Sequence, residues 1–75
     1  MEIHHLVKMA NDIGGFFEHM PDHGEAVSSI AMHIKNFWEP RMRRQIIEYA
    51  GQDGGALKPI VREAILTLAP AKTGK

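Results

Sequence analysis

Three groups of side chains in this sequence are of types that do chemistry. They are five histidines, the serine pair Ser28-Ser29, and the arginines Arg41, Arg43 and Arg44 close to the single tryptophan, Trp38. A protein metal site needs several donors converging on one point. His4 and His5 are adjacent and diverge by about 100° on a helix, which serves no shared site. His19 and His23 are separated by Pro21, which removes the i,i+4 presentation of a continuous helix. There is no H-E-x-x-H, and cysteine is absent, so disulfides, thiolate metal sites and iron–sulfur ligation by cysteine are excluded. His33 borders an apolar arc and is expected to be a boundary residue hydrogen-bonded at its tip. The histidines are therefore expected to be solvated or structural, with no metal bound.

Hydrolytic chemistry has equally little to work with. Ser28 and Ser29 fall inside a helical pattern without a nucleophile elbow, and no histidine and acid stand at a recognisable triad spacing. The glycine pairs Gly14-Gly15 and Gly54-Gly55 match neither a Walker A loop nor a dinucleotide fingerprint. So small a domain also offers little room for a pocket of several hundred Å³. No catalytic or cofactor-binding residue is expected. The arginines remain. Arg44 can pair with Glu48 at i,i+4, and Arg41 shares that outer face. Arg43 falls at the edge of an apolar face, where it either extends its stem over the core or meets a carboxylate on a partner. Trp38 reads as core or, exposed beside an arginine, as an interface anchor. Arginines on a helix–turn–helix also suit a nucleic-acid reader, the alternative function; against it stand the Pro-broken connection and the zero net charge.

The elements that position these residues follow from periodicity. From Ile3 to His19 the apolar residues, Met9 and Phe16 among them, fill about half the circumference of a helix, more than the usual stripe of roughly 100°. Either this helix is deeply embedded in its own small core, or one flank faces another protein. Gly14-Gly15 costs about 1 kcal/mol per residue relative to alanine, so it marks a kink or a close approach at Gly14. Pro21 interrupts, Asp22 can cap the next helix, and Glu25 stands in the capping-box position. A second helix is predicted from about His23 to Phe37 or Trp38, with Ala26, Val27, Ile30, Ala31, Ile34, Phe37 and Trp38 on its apolar arc and Met32 outside it. Pro40 opens a third helix with Met42, Ile46, Tyr49 and Ala50 on one face. Gly51 is the expected C-cap of that helix. Pro59 opens a fourth, ending before Pro70, and 71–75 reads as a flexible tail. The prediction is one all-α, four-helix domain over 1–70, with a Pro-broken corner between helices 2 and 3. Phe37, Trp38 and Met42 are expected to be mainly core.

Composition bounds the rest. A chain of 75 residues without cysteine has a modest core, rarely worth more than about 3–5 kcal/mol. The net charge is zero, but 1–35 carries two lysines against five carboxylates, a balance of −3 offset by the remainder. A neutral total gives no general attraction to nucleic acid or anionic lipid. There is no leader-like start and no apolar run approaching a membrane span of about 20 residues. The cytoplasm is the expected compartment.

One stretch carries a family resemblance. Ile30-Ala31-Met32-His33-Ile34-Lys35-Asn36-Phe37-Trp38-Glu39-Pro40-Arg41-Met42-Arg43 resembles the I-A-x-H-I-x-x-F-W-x-P-R-M-R signature of the delta subunit of NAD-dependent formate dehydrogenase. Met9-Ala10-Asn11-Asp12-Ile13-Gly14-Gly15-Phe16-Phe17 resembles its A-N-x-I-x-x-F-F segment, Pro21 and Glu25-Ala26 its middle, and Gly54-Gly55-Ala56-Leu57-Lys58-Pro59 with Val61 and Ala64 its closing stretch. Glu39 stands where aspartate is more usual. The likeness covers about residues 9–66. It implies a non-catalytic accessory subunit without a cofactor of its own, supporting assembly, stability or cofactor maturation of a cytoplasmic complex. The implied partners are a large catalytic subunit with a molybdenum or tungsten pterin and iron–sulfur clusters, and further subunits with FMN and iron–sulfur clusters. Partner binding is expected through the first helix and the Trp38–Arg43 corner, at Met9, Phe16, Trp38, Arg41 and Arg43, and the isolated chain is open to self-association.

Overall fold

The computed structural model describes residues 2–69. The tail expected at 71–75 lies outside the described residues. Four helices follow in order: α1 (Ile3–Phe17), α2 (His23–Phe37), α3 (Pro40–Gln52) and α4 (Pro59–Thr67). No strand occurs among the described residues. The all-α, four-helix expectation is what the chain adopts.

Each boundary has a local cause. α1 stops at Phe17, two residues short of the predicted end, because Pro21 forces the preceding chain out of helix. Asp22 caps α2, its Oδ1 accepting from the backbone N–H of Gly24 at 2.8 Å and of Glu25 at 3.3 Å. Trp38 ends α2 in extended conformation, and Pro40 and Pro59 occupy first-turn positions of α3 and α4, where a missing N–H is no loss. α3 does not stop at Gly51. It runs to Gln52, with Asp53 as cap, and the left-handed residue is Gly54 at φ +64°. The turn therefore lies three residues later than expected, at a position that favours glycine.

α1 and α4 each pack against both α2 and α3, and α4 packs most extensively on α2. The resulting core contains Leu6, Ala10, Ile30, Ile34, Ile46, Val61, Ala64 and Ile65, all fully enclosed, and Trp38 at 5% exposure. No polar or charged side chain among the described residues is buried. Gly14 is the seat of α4: a Cβ there would overlap Val61 Cγ2. The expected close approach is real, and it is made by a side chain.

The α3–α4 loop is fixed from a distance. The Asn11 amide on α1 donates to the Ala56 carbonyl and accepts from the Lys58 N–H, both at 2.9 Å, and the Tyr49 hydroxyl accepts from the Ala56 N–H at 3.1 Å. One amide thus satisfies both a loop carbonyl and an orphan donor of the next helix. Ion pairs are exposed and add little: Lys8–Asp12, Lys58–Glu18, His23–Glu63 and His4–Glu2. The hydrogen bond to His4 holds the Glu2 carboxyl below its ordinary value. The expected Arg44–Glu48 pair is not among them. No described helix is long and apolar enough to cross a membrane.

Candidate interaction site

The corner between α2 and α3 separates the arginines by role. The Arg43 guanidinium donates to the carbonyls of Trp38 at 2.6 Å and Lys35 at 3.2 Å. It therefore serves the carbonyl groups at the end of α2, which have no intrahelical partner. Neither earlier reading of Arg43 described this. The same device recurs one element later, where Arg62 Nε donates to the Ala50 carbonyl near the end of α3 at 3.0 Å. Arg41 and Arg44 are exposed, flanking Pro40 and Glu39 around a shallow depression of about 440 Å³.

Phe37 corrects the core expectation. It is 74% exposed, because the extended Trp38 turns the chain so that the indole, and not the Phe37 ring, enters the core. Met42 is half-buried against the core. His33 is likewise not a hydrogen-bonded boundary residue. Its ring lies 4.7 Å from that of Phe37 and 6.4 Å from Phe17, which meets Phe16 edge-on at 5.1 Å.

These rings form a row across α1 and α2. Phe16 is 78% and Phe37 74% exposed, so two large aromatic side chains of this row stand in solvent; Met32, 60% exposed, projects from another face of α2, about 140° around the helix from Phe37. Between the helices lies an open depression of about 360 Å³ lined by Asp12, Ile13, Phe16, Phe17 and His33. Pockets of several hundred Å³ do exist on this small domain, but as surface depressions. At roughly 150–250 Å² per phenylalanine, Phe16 and Phe37 present about 300 Å² of apolar area, the lower end of the range at which a contiguous surface patch marks an interaction site.

Of the sequence-predicted partner residues, Phe16 belongs to this row and Arg41 lies exposed at the adjoining corner. Met9 is half-buried against the core, Trp38 is enclosed, and Arg43 is occupied with α2. Trp38 therefore shapes the corner from within and offers no surface. Sequence reasoning passed over Met32 and Phe37 as surface residues. Met32 carried a signal: it is a large apolar residue outside the apolar arc of α2. Among the described residues no group of three or more His, Asp or Glu is placed to hold a metal ion.

Fold and site define a small all-helical domain with one uncovered aromatic face beside a cationic corner. The chain belongs to the NADH-dependent formate dehydrogenase delta subunit family, FdsD, whose model matches residues 5–65. The matched span contains nearly the whole fold and both halves of the aromatic row. No curated protein and no solved structure matches the chain.

Proposed function

We propose that this chain is a non-catalytic accessory subunit of a cytoplasmic NAD-dependent formate dehydrogenase, acting in assembly, stability or cofactor maturation of the complex. The family match over residues 5–65 carries this reading. Two features of the chain support it. The donor set is poor in redox ligands, with no cysteine in 75 residues. The domain also leaves Phe16, Met32 and Phe37 uncovered, as a chain does when a partner completes the burial. Formate oxidation, with its metal pterin, iron–sulfur and flavin chemistry, then belongs to the partner subunits. This chain's contribution is surface.

The test is omission. Co-expressing the remaining subunits without this chain should lower the yield of assembled complex or its molybdenum or tungsten content per large subunit. Purification by a tag on the large subunit and metal analysis read both quantities. Equal assembly and equal metal content in its absence would refute the accessory role.

A further inference from the structure

The depression between α1 and α2 has a wall of two kinds. Ile13, Phe16 and Phe17 are apolar, and the planes of the two phenylalanine rings stand at 87° to each other, so they present faces in two directions. Asp12 and His33 are the polar members. Asp12 lies one turn before Phe16 on α1, is exposed, and is the one carboxylate of the wall; no lysine or arginine among the described residues lines it. Its partner Lys8 reaches it at 3.3 Å from outside the depression, and both side chains are exposed. Such a pair contributes little and yields to a better-shielded cation. His33 touches the rings of Phe17 and Phe37, and its ring nitrogens have no hydrogen-bond partner among the described residues. This half of the chain also carries its acidic excess, with two lysines against five carboxylates over 1–35.

Aromatic rings beside a carboxylate suit a side chain that is apolar along its length and cationic at its tip. Resting on the reading of the chain as a subunit, we propose that this depression receives an arginine side chain of a partner subunit. Its methylene stem covers the apolar wall, and its planar guanidinium stacks against the phenylalanine rings. The guanidinium N–H groups reach the Asp12 carboxylate and the acceptor nitrogen that a neutral imidazole offers at His33. Asp12 decides among the occupants. A purely apolar side chain would cover the carboxylate without giving it a new partner, and an acidic one would set like charge against it. Lysine answers the charge but neither stacks flat on a ring nor forks onto a carboxylate. Arginine does both, and the acidic excess of this half of the chain favours its approach.

The experiment uses the full chain, tagged and co-expressed with the other formate dehydrogenase subunits. Co-purification of the unmodified chain is the first reading; its failure overturns the subunit reading and the proposal with it. Given co-purification, two charge reversals one turn apart on α1 read the sign of the occupant, with helical circular dichroism checking that each exposed substitution leaves the fold intact. Asp12→Lys should lower the co-purified amount by about tenfold or more. Lys8→Glu should leave it unchanged or raise it, since it removes the cation that competes for Asp12. A photo-crosslinking benzoylphenylalanine at position 8, outside the wall, then locates the occupant by peptide mass spectrometry, and the adduct should fall in a partner-subunit segment that contains an arginine. Undiminished recovery of Asp12→Lys, a loss with Lys8→Glu as large as with Asp12→Lys, an adduct in a segment without arginine, an adduct with a second copy of this chain, or no adduct would each overturn the arginine assignment while leaving the subunit reading in place.

Discussion

Arg43 is held between two carbonyls of the preceding helix, 2.6 and 3.2 Å away, and this decides what its substitution does. Hydrogen bonds from a charged donor are worth about 1.5–3 kcal/mol when both groups are well shielded, and less at this half-buried position. Arg43→Glu would remove them and place a negative charge against the negative end of α2. The expected loss in unfolding free energy is about 1–2 kcal/mol, read from urea denaturation of the isolated chain. Arg41→Glu, two residues away and exposed, should change it by about 0.5 kcal/mol or less. Equal effects at the two positions would mean that the Arg43 contacts contribute nothing to the corner. Two arginines in one short signature thus act at different levels, one on stability and one at the surface. Sequence periodicity placed Arg43 correctly at the edge of the apolar face. It had no means of showing that the carbonyls of Lys35 and Trp38 would converge there, since that depends on the extended backbone of Trp38.

Helix order and all four helix starts were legible: α1 from its periodicity beginning at Ile3, and the other three from local chemistry, with Asp22 as cap and Pro40 and Pro59 in first turns. What was not legible depends on how helices meet. Phe37 and Trp38 are both large and aromatic, and only the path of the chain after α2 selects which one enters the core. Asn11 read as a polar-face residue, yet it binds a loop 45 and 47 residues away. The two glycines of α1 make the point testable. Gly14 lies against Val61 of α4, whereas a Cβ on Gly15 meets nothing within 4 Å. In an open helical position alanine is preferred over glycine by about 1 kcal/mol. Gly15→Ala should therefore stabilise the domain by about 0.5–1 kcal/mol. Gly14→Ala should destabilise it by about 1–3 kcal/mol, because the overlap with Val61 is overpacking within a closed helix contact. Thermal unfolding of the two variants followed by circular dichroism should shift in opposite directions. A rise in both midpoints would show that α4 can withdraw from α1 at little cost.

At the scale of the molecule, the question is whether the aromatic row belongs to the core or to the surface. The enclosed residues form one cluster from all four helices, and Trp38 is its largest member. A core of this size rarely supplies more than about 3–5 kcal/mol, while truncating a buried tryptophan to alanine costs about 3–5 kcal/mol. Trp38→Ala should therefore leave the isolated chain largely unfolded. Phe16 and Phe37 keep 78% and 74% of their surface in water, so their removal forfeits little burial. What remains is the edge contact of Phe16 with Phe17 and the tilted contact of Phe37 with His33, each worth about 0.5–1.5 kcal/mol in a well-enclosed pair and less in water. The double variant Phe16→Ser, Phe37→Ser should lose about 1 kcal/mol or less in urea unfolding and keep its helical circular dichroism. If it instead unfolds like Trp38→Ala, the row is core and its exposure in the free chain carries no functional meaning. If it stays folded, any loss of complex formation by the same variant reports on the surface alone, because the fold has already been accounted for.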